Sequence, residues 1–91
     1  MQMDDPPETA EFMTFVRTVE ARSISRAARE LGVPRPTVSR RLARLEEKLG
    51  VRLLRRTTRT MTLTDAGEAL YARARGVIAA VRDAEASVRQ S

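Results

Sequence analysis

Residues 23–42 read SISRAARELGVPRPTVSRRL, a pattern typical of two short helices joined by a tight turn. Gly32 is expected to close the first helix, because glycine readily takes the left-handed conformation found at helix ends. Pro36 is expected at the first position of the second helix, where its missing N–H leaves no hydrogen bond unmade. The stretch therefore predicts a helix-turn-helix with a polar, cationic outer face. Its second helix is anchored by an apolar stripe of Val38, Leu42, Leu45 and Leu49.

Basic residues are concentrated in and after this second helix. The 91-residue chain has 17 Lys+Arg and 12 Asp+Glu, a net charge of +5. Residues 35–59 contain nine bases and two acids, a net charge of +7, whereas residues 1–21 contain one base and five acids, a net charge of −4. This asymmetry favours a polyanionic partner, since each cation that neutralises a phosphate releases a counterion. The alternative is a solvated basic face without a partner.

Composition excludes several classes of function. The chain has no cysteine and no histidine, which removes disulfides, thiolate nucleophiles, the usual metal ligands and the commonest general base. It also lacks a phosphate-binding glycine loop. We therefore expect no enzymatic activity, no cofactor and no metal. No apolar run approaches the ~18 residues of a membrane span, and the N-terminus is acidic, unlike a signal peptide, so we expect a cytoplasmic protein that does not bind membranes.

The segment before the motif divides into two parts. Residues 1–7 contain the Pro-Pro pair and show no periodicity, which predicts a disordered lead-in. From residue 8 to about residue 21 the spacing predicts an amphipathic helix, and Ser23 or Ser25 is expected to cap the next one. The apolar face of the first helix consists of Phe12, Phe15, Val16 and Val19.

The segment after the motif predicts a wing and a long helix. Residues 51–54 and 61–63 are strand-like and flank a basic tip, as in a small hairpin. The predicted fold is mainly α. It is a winged helix-turn-helix of three helices and a two-stranded wing over residues 8–63, followed by a long linker helix over residues 64–91.

The long helix carries an apolar stripe with the 4-3 spacing of a coiled-coil seam. A single small domain rarely buries a helix of about 37 Å along its whole length, so we expect this stripe to pair with a second copy of the chain. The alternative is that it packs only on the domain's own core. The stripe consists of Leu70, Ala74, Val77, Val81, Ala84 and Val88.

The outer face of the second motif helix matches the chemistry of DNA recognition. Arginine donates two hydrogen bonds to guanine, hydroxyls bond bases or phosphates, and a proline ring or threonine methyl can contact a thymine methyl. Arg40 is the best candidate for reading a base. Arg41 and Arg44 favour phosphate, which takes more than half of protein–DNA contacts. The predicted base contacts are Arg35, Pro36, Thr37, Ser39 and Arg40.

The basic tip of the hairpin has a separate role. Arginine inserted into a narrow A·T-rich minor groove lies in strongly negative potential, and Arg59 is the residue expected there. The alternative is a loop kept soluble by its charge. At the end of the second motif helix, Glu46, Glu47 and Lys48 are likewise expected to form a solvated face. The predicted phosphate contacts are Ser23, Ser25, Arg26, Arg41, Arg44, Arg56 and Thr57.

Several motifs together resemble the N-terminal domain of LysR-type bacterial transcriptional regulators, over roughly residues 9–89. The resemblance implies a winged helix-turn-helix whose linker helix pairs antiparallel with a second subunit. It implies major-groove contacts for Arg35, Pro36, Ser39 and Arg40 and a minor-groove contact for Arg59, although Arg35 stands where the family often has glutamine. The motifs read FMTFV at residues 12–16, SISRAA at 23–28, PTVSR at 36–40, LEEKLGV at 45–51, LRR at 54–56 and LTDAG at 63–67.

The expected partner is double-stranded DNA carrying an interrupted palindromic operator, bound by a homodimer. The resemblance also implies a C-terminal effector-binding domain that this chain does not contain. A small-molecule effector is therefore expected only through that missing domain, and a tetramer only for a full-length protein. The alternative is a protein-interaction or non-specific nucleic-acid module, including one for RNA. With three aromatic residues, the chain has little to stack on single-stranded bases.

Overall fold

The structure is a computed structural model that describes residues 8–57 and 60–90. Helices α1 to α4 and a two-stranded antiparallel sheet confirm the predicted winged helix-turn-helix with a long last helix. The predicted lead-in of residues 1–7 lies outside the described residues. Within the described part, no helix is long and apolar enough to cross a membrane. The elements are α1 (Thr9–Ala21), α2 (Ile24–Leu31), α3 (Arg35–Leu49), β1 (Leu54–Arg56), β2 (Met61–Leu63) and α4 (Asp65–Arg89).

Helix α1 lies at the centre of the domain and packs against α2, α3 and α4. Phe15 of α1 has no exposed surface, and neither do Val38 and Leu45 of α3. Leu53, just before the wing, is buried in the same cluster. Burial of each such side chain contributes roughly 1.5–3 kcal/mol to folding. This core fixes one side of α3 and leaves its opposite side to the solvent.

The helix ends follow the sequence signals closely. Gly32 and Gly50 both have φ 71°, the left-handed conformation that ends α2 and α3. Ser23, one of two predicted caps, accepts a hydrogen bond from the Arg26 backbone N–H over 3.1 Å at the start of α2. Such caps contribute about 1 kcal/mol to helix stability.

Two details of α3 differ from the prediction. The helix begins at Arg35 with Pro34 as its N-cap, so Pro36 occupies the second helical position rather than the first. A missing N–H is harmless there too, because the first four N–H groups of a helix have no partner inside it. Leu49 was predicted in the buried stripe but is 38% exposed. It lies in the last turn, where the chain leaves the core at Gly50.

The first strand of the wing begins later than predicted. Residues 51–53 are not strand, and β1 starts at Leu54, which pairs with Leu63 of β2. The backbone N–H groups of Leu53 and Leu54 donate instead to the carboxylate of Glu46. A side chain therefore takes the place of a strand partner at this point.

Thr64 joins the wing to α4. Its hydroxyl donates to the carbonyl oxygen of Arg52 over 2.6 Å and accepts from the Gly67 backbone N–H over 2.9 Å, and so caps α4. Gly67 faces the Leu53 carbonyl so closely that a Cβ would collide with it. The start of α4 is therefore packed backbone to backbone against the segment before the wing.

The predicted seam of α4 divides between two environments. Ala74 is 1% exposed and Leu70 packs against the same core, so both residues contact their own domain, and their role in pairing stays a prediction. Ile78, which the 4-3 pattern missed, is buried beside them. Val77 and Val81 are 49% and 40% exposed. The alternative of packing on the own core therefore holds for the first turns of α4 and not for the later ones.

Candidate nucleic-acid interface

The outward face of α3 lies opposite its buried stripe. An α-helix has 3.6 residues per turn, so residues four apart lie on the same face. Pro36, Arg40 and Arg44 therefore follow one another along this outward face. All three are exposed, whereas Val38 and Leu42 are buried on the other side. Because the buried side chains hold α3 in place, the Arg40 side chain projects toward the solvent from a fixed backbone.

The predicted base contacts cluster in the first two turns of α3. Arg35, Pro36 and Arg40 are exposed, and Thr37 and Ser39 are half-buried. Arg40 Nη2 donates to the Thr37 hydroxyl oxygen over 3.3 Å. The structure therefore brings the five predicted residues together at one end of one helix, with Arg40 oriented by Thr37.

The three arginines of α2 and α3 among the predicted phosphate contacts already have side-chain partners within the domain. Arg26 pairs with Glu30 over 3.3 Å, and Arg44 lies 3.6 Å from Glu11. Arg26 and Arg44 are more than half exposed, so both guanidinium groups remain accessible. The surface pair with Glu30 contributes only about 0–1 kcal/mol, whereas the carboxylate of Glu11 is buried. Arg41 Nη1 donates to the buried hydroxyl oxygen of Thr14 over 3.2 Å. Arg41 is therefore partly a link between α1 and α3.

The other predicted phosphate contacts lie at the start of α2 and on the wing. Ser23 is half-buried as a cap, while Ser25, Arg56 and Thr57 are exposed. The Thr57 backbone N–H donates to the Thr60 carbonyl oxygen over 2.8 Å, so the hairpin stays closed beyond its strands. Arg59, the predicted minor-groove residue, lies outside the described residues.

The predicted solvated face at the end of α3 is wrong for two of its three residues. Glu46 Oε2 accepts from the backbone N–H of Leu53 over 2.7 Å and of Leu54 over 3.2 Å. Lys48 Nζ donates to Glu11 Oε2 over 3.3 Å. Glu11 is 4% exposed, since Lys48 and Arg44 cover its carboxylate. Charge patterning alone gave no sign of these partners, which come from α1 and from the segment before the wing.

The described ranges, 8–57 and 60–90, contain no group of three acidic, histidine or cysteine side chains that could hold a metal ion. The carboxylates that are buried or half-buried, Glu11 and Glu46, are occupied by cations and backbone N–H groups. The chemical character of this surface is that of exposed guanidinium and hydroxyl groups on two helices and a hairpin.

Curated relatives align with most of this chain. A transcriptional repressor of Pseudomonas aeruginosa is 45% identical over 76 residues, which are 84% of this chain and 24% of the relative. The transcriptional regulator CrgA of Neisseria meningitidis is 47% identical over 75 residues, 82% of this chain and 25% of the relative. The chain thus spans about a quarter of the length of these relatives.

Solved structures share the fold. An oxidized form of OxyR from Corynebacterium glutamicum superposes with a TM-score of 0.92 at 32% identity, over 97% of this chain and 27% of that one. The BenM DNA-binding domain, solved in complex with the catB site 1 DNA, gives a TM-score of 0.87 at 31% identity, over 91% of this chain and 93% of that one. Residues 10–68 match the bacterial regulatory helix-turn-helix proteins of the lysR family. The chain therefore belongs to the LysR family, and it is a DNA-binding domain of that family's helix-turn-helix type.

Proposed function

We propose that this chain reads a specific sequence of duplex DNA as part of a bacterial transcriptional regulator, with α3 in the major groove, and that it has no enzymatic role. The observation that carries the proposal is the exposed Arg40 on a helix whose opposite face is buried through Val38 and Leu42. A guanidinium held this way can donate two hydrogen bonds to guanine O6 and N7. Such a protein would act in the cytoplasm, where the bacterial chromosome lies.

Base reading is assigned to the first turns of α3. Arg40 is the main reader, oriented by the Thr37 hydroxyl. Pro36 and Thr37 supply small apolar groups for a thymine methyl, and Ser39 supplies a hydroxyl. These groups are short, so they require the helix to lie deep in the groove.

Phosphate binding is assigned to residues around this reading surface. The exposed ion pair between Arg26 and Glu30 can be exchanged for phosphate, because surface pairs of this kind are weak. Arg44 is 62% exposed, so it can reach a phosphate while Lys48 continues to pair with the buried Glu11. Arg59 is assigned to the minor groove beside the wing, where a narrow groove attracts arginine. The phosphate contacts are Ser23, Ser25, Arg26, Arg41, Arg44, Arg56 and Thr57.

The unit that binds DNA is proposed to be a homodimer. Val77, Val81 and Val88 are 49%, 40% and 73% exposed along α4, and Ala84 lies on the same face. Pairing with a second α4 would remove this apolar surface from water and place two α3 helices on an interrupted inverted repeat. In a longer protein, tetramer formation and a small-molecule effector would depend on the rest of the chain.

The proposal is tested by selecting bound sites from a pool of random duplexes and titrating the best site against its scrambled version. At fixed near-physiological salt we expect the selected duplex to bind at least about 10³-fold more tightly. Single-stranded RNA of the same length should not compete. Equal affinities for the two duplexes would refute sequence-specific reading, and effective competition by the RNA would favour a general nucleic-acid module.

A further inference from the structure

An open cleft of about 450 Å³ lies between the start of α2, the start of α3 and the wing. Three arginines from these different parts of the chain line it: Arg22, Arg35 and Arg56. Ser23, Thr57 and Thr60 add hydroxyls to the lining, and Ile24 and Met61 form its apolar part. The fold therefore brings together cations that are far apart in sequence.

Several other arginines of the domain are paired with carboxylates. Arg26, Arg44 and Arg52 each lie within 4 Å of a carboxylate. Among residues 8–57 and 60–90, no carboxylate pairs with the side chain of any of the three arginines of the cleft, and none lines the cleft. Like charges that share a concave surface raise the local positive potential, which favours a bound anion.

The backbone of Arg22 points to a role for its side chain. Arg22 closes α1 with φ 56° and is the one non-glycine residue with positive φ in the described part of the chain. The equivalent position after α2 and after α3 is a glycine, Gly32 or Gly50. An arginine in this conformation costs roughly 1–2 kcal/mol relative to glycine. Backbone strain of this kind clusters at functional sites, which makes the Arg22 side chain a candidate for a binding role.

We propose that the cleft holds one backbone phosphate of the bound duplex, with Arg22, Arg35 and Arg56 as its cationic ligands. The inference rests on the proposed DNA binding, since the cleft opens between the recognition helix and the wing. Guanidinium groups match phosphate geometry with two parallel N–H donors. Ser23 uses its oxygen to accept from Arg26 N–H and keeps its hydroxyl hydrogen for a phosphate oxygen. Arg35 thereby moves from the predicted base readers to the phosphate ligands.

The test uses Arg22→Gly, which removes the guanidinium and relieves the left-handed backbone, so the variant folds at least as well as the parent. We expect it to bind the selected and the scrambled duplex about tenfold more weakly, and the slope of log K against log salt to fall in magnitude by about 0.9. Arg29→Ala, an exposed arginine of α2 outside the cleft, is the matched control and should leave both affinities within about twofold.

A duplex series that replaces one phosphate at a time by a neutral methylphosphonate locates the contact. We expect one position per half-site at which the methylphosphonate lowers the affinity of the parent. At that position the substitution should not lower the affinity of Arg22→Gly any further. Identical losses for both proteins at every position, or an unchanged salt slope, would overturn the assignment. Saturable binding of millimolar inorganic phosphate that does not displace the duplex at constant ionic strength would assign the cleft to a free anion instead. If the parent itself fails to prefer the selected duplex, the proposed function fails rather than the cleft.

Discussion

Glu46 Oε2 lies 2.7 Å from the backbone nitrogen of Leu53, so a side chain of the recognition helix holds the segment from which the wing begins. The same oxygen accepts from Leu54 N–H over 3.2 Å. The position of the wing relative to α3 therefore depends on one carboxylate.

We expect Glu46→Ala to lower the free energy of unfolding by about 2–3 kcal/mol, because two backbone N–H groups lose a charged acceptor. Urea denaturation followed by circular dichroism measures this loss. Glu47→Ala, one residue further along and exposed, is the control and should change the value by less than about 0.5 kcal/mol. Equal effects of the two substitutions would show that the carboxylate does not hold the wing.

Glu11 is the second carboxylate on which the reading helix depends. Its buried Oε2 lies 3.3 Å from Lys48 Nζ and 3.6 Å from Arg44 Nε. We expect Lys48→Met to destabilise the domain by roughly 3 kcal/mol, because it leaves a buried carboxylate with one exposed cation. Glu11→Gln combined with Lys48→Met should cost less than the sum of the two single changes. A double-mutant cycle in urea checks this, and strict additivity would show that the two residues do not interact.

The two glycines of α4 make a matched pair with opposite expected signs. A Cβ at Gly67 would collide with the Leu53 carbonyl, whereas nothing lies within 4 Å of a Cβ at Gly76. We expect Gly67→Ala to cost about 1–3 kcal/mol through overpacking. Gly76→Ala should stabilise the domain by up to about 1 kcal/mol, since alanine is the better helix former. Thermal denaturation reports both changes, and a stable Gly67→Ala variant would contradict the close backbone packing.

The reading surface predicts two kinds of loss. Arg40→Ala should lower discrimination at one base pair per half-site by about 1–3 kcal/mol. Arg41→Ala should weaken all duplexes alike and reduce the salt slope by about 1. Affinities for a set of single-base variants of the selected duplex, measured at several salt concentrations, separate the two. A uniform loss from Arg40→Ala would move that residue to the phosphate contacts.

The exposed stripe of α4 predicts the assembly state. Val81→Glu should shift the chain toward a monomer in sedimentation equilibrium and lower its affinity for the full inverted repeat, because a carboxylate would face the partner's apolar seam. Ala72→Glu places the same charge on an exposed position of the opposite face and should leave the assembly unchanged. A monomeric parent chain would refute pairing through these residues, and a dimeric Val81→Glu variant would locate the seam elsewhere.

Local signals predicted most of the fold. Gly32, Gly50 and Thr64 end or cap helices through interactions within a few residues, which the sequence displays directly. Glu46 and Lys48 were misassigned because their partners, Leu53 and Glu11, are supplied by the tertiary structure. The 4-3 spacing of α4 identified six apolar residues but could not distinguish those that face the domain from those that face outward.

The same distinction between local and tertiary signals applies to the candidate interface. The first turns of α3 are contiguous in sequence, so spacing alone predicted that their side chains lie together on one helix. The cleft of Arg22, Arg35 and Arg56 joins three separate segments, and no periodicity relates them. Arg22 carried one readable signal, an arginine where a helix-ending glycine would serve, and it was overlooked beside the more regular pattern that follows.

Helix α4 is continuous from Asp65 to Arg89, and its first turns are bound into the core through Ala74 and Ile78. The exposed valines therefore have no hinge between them and the rest of the domain in the described structure. One residue inserted after Ile78 would rotate Val81 and Val88 by about 100° around the helix axis relative to Val77 and the core. In the proposed dimer the two copies of α3 would then point along different directions, so the phase of this helix would set which operator spacing the pair can span.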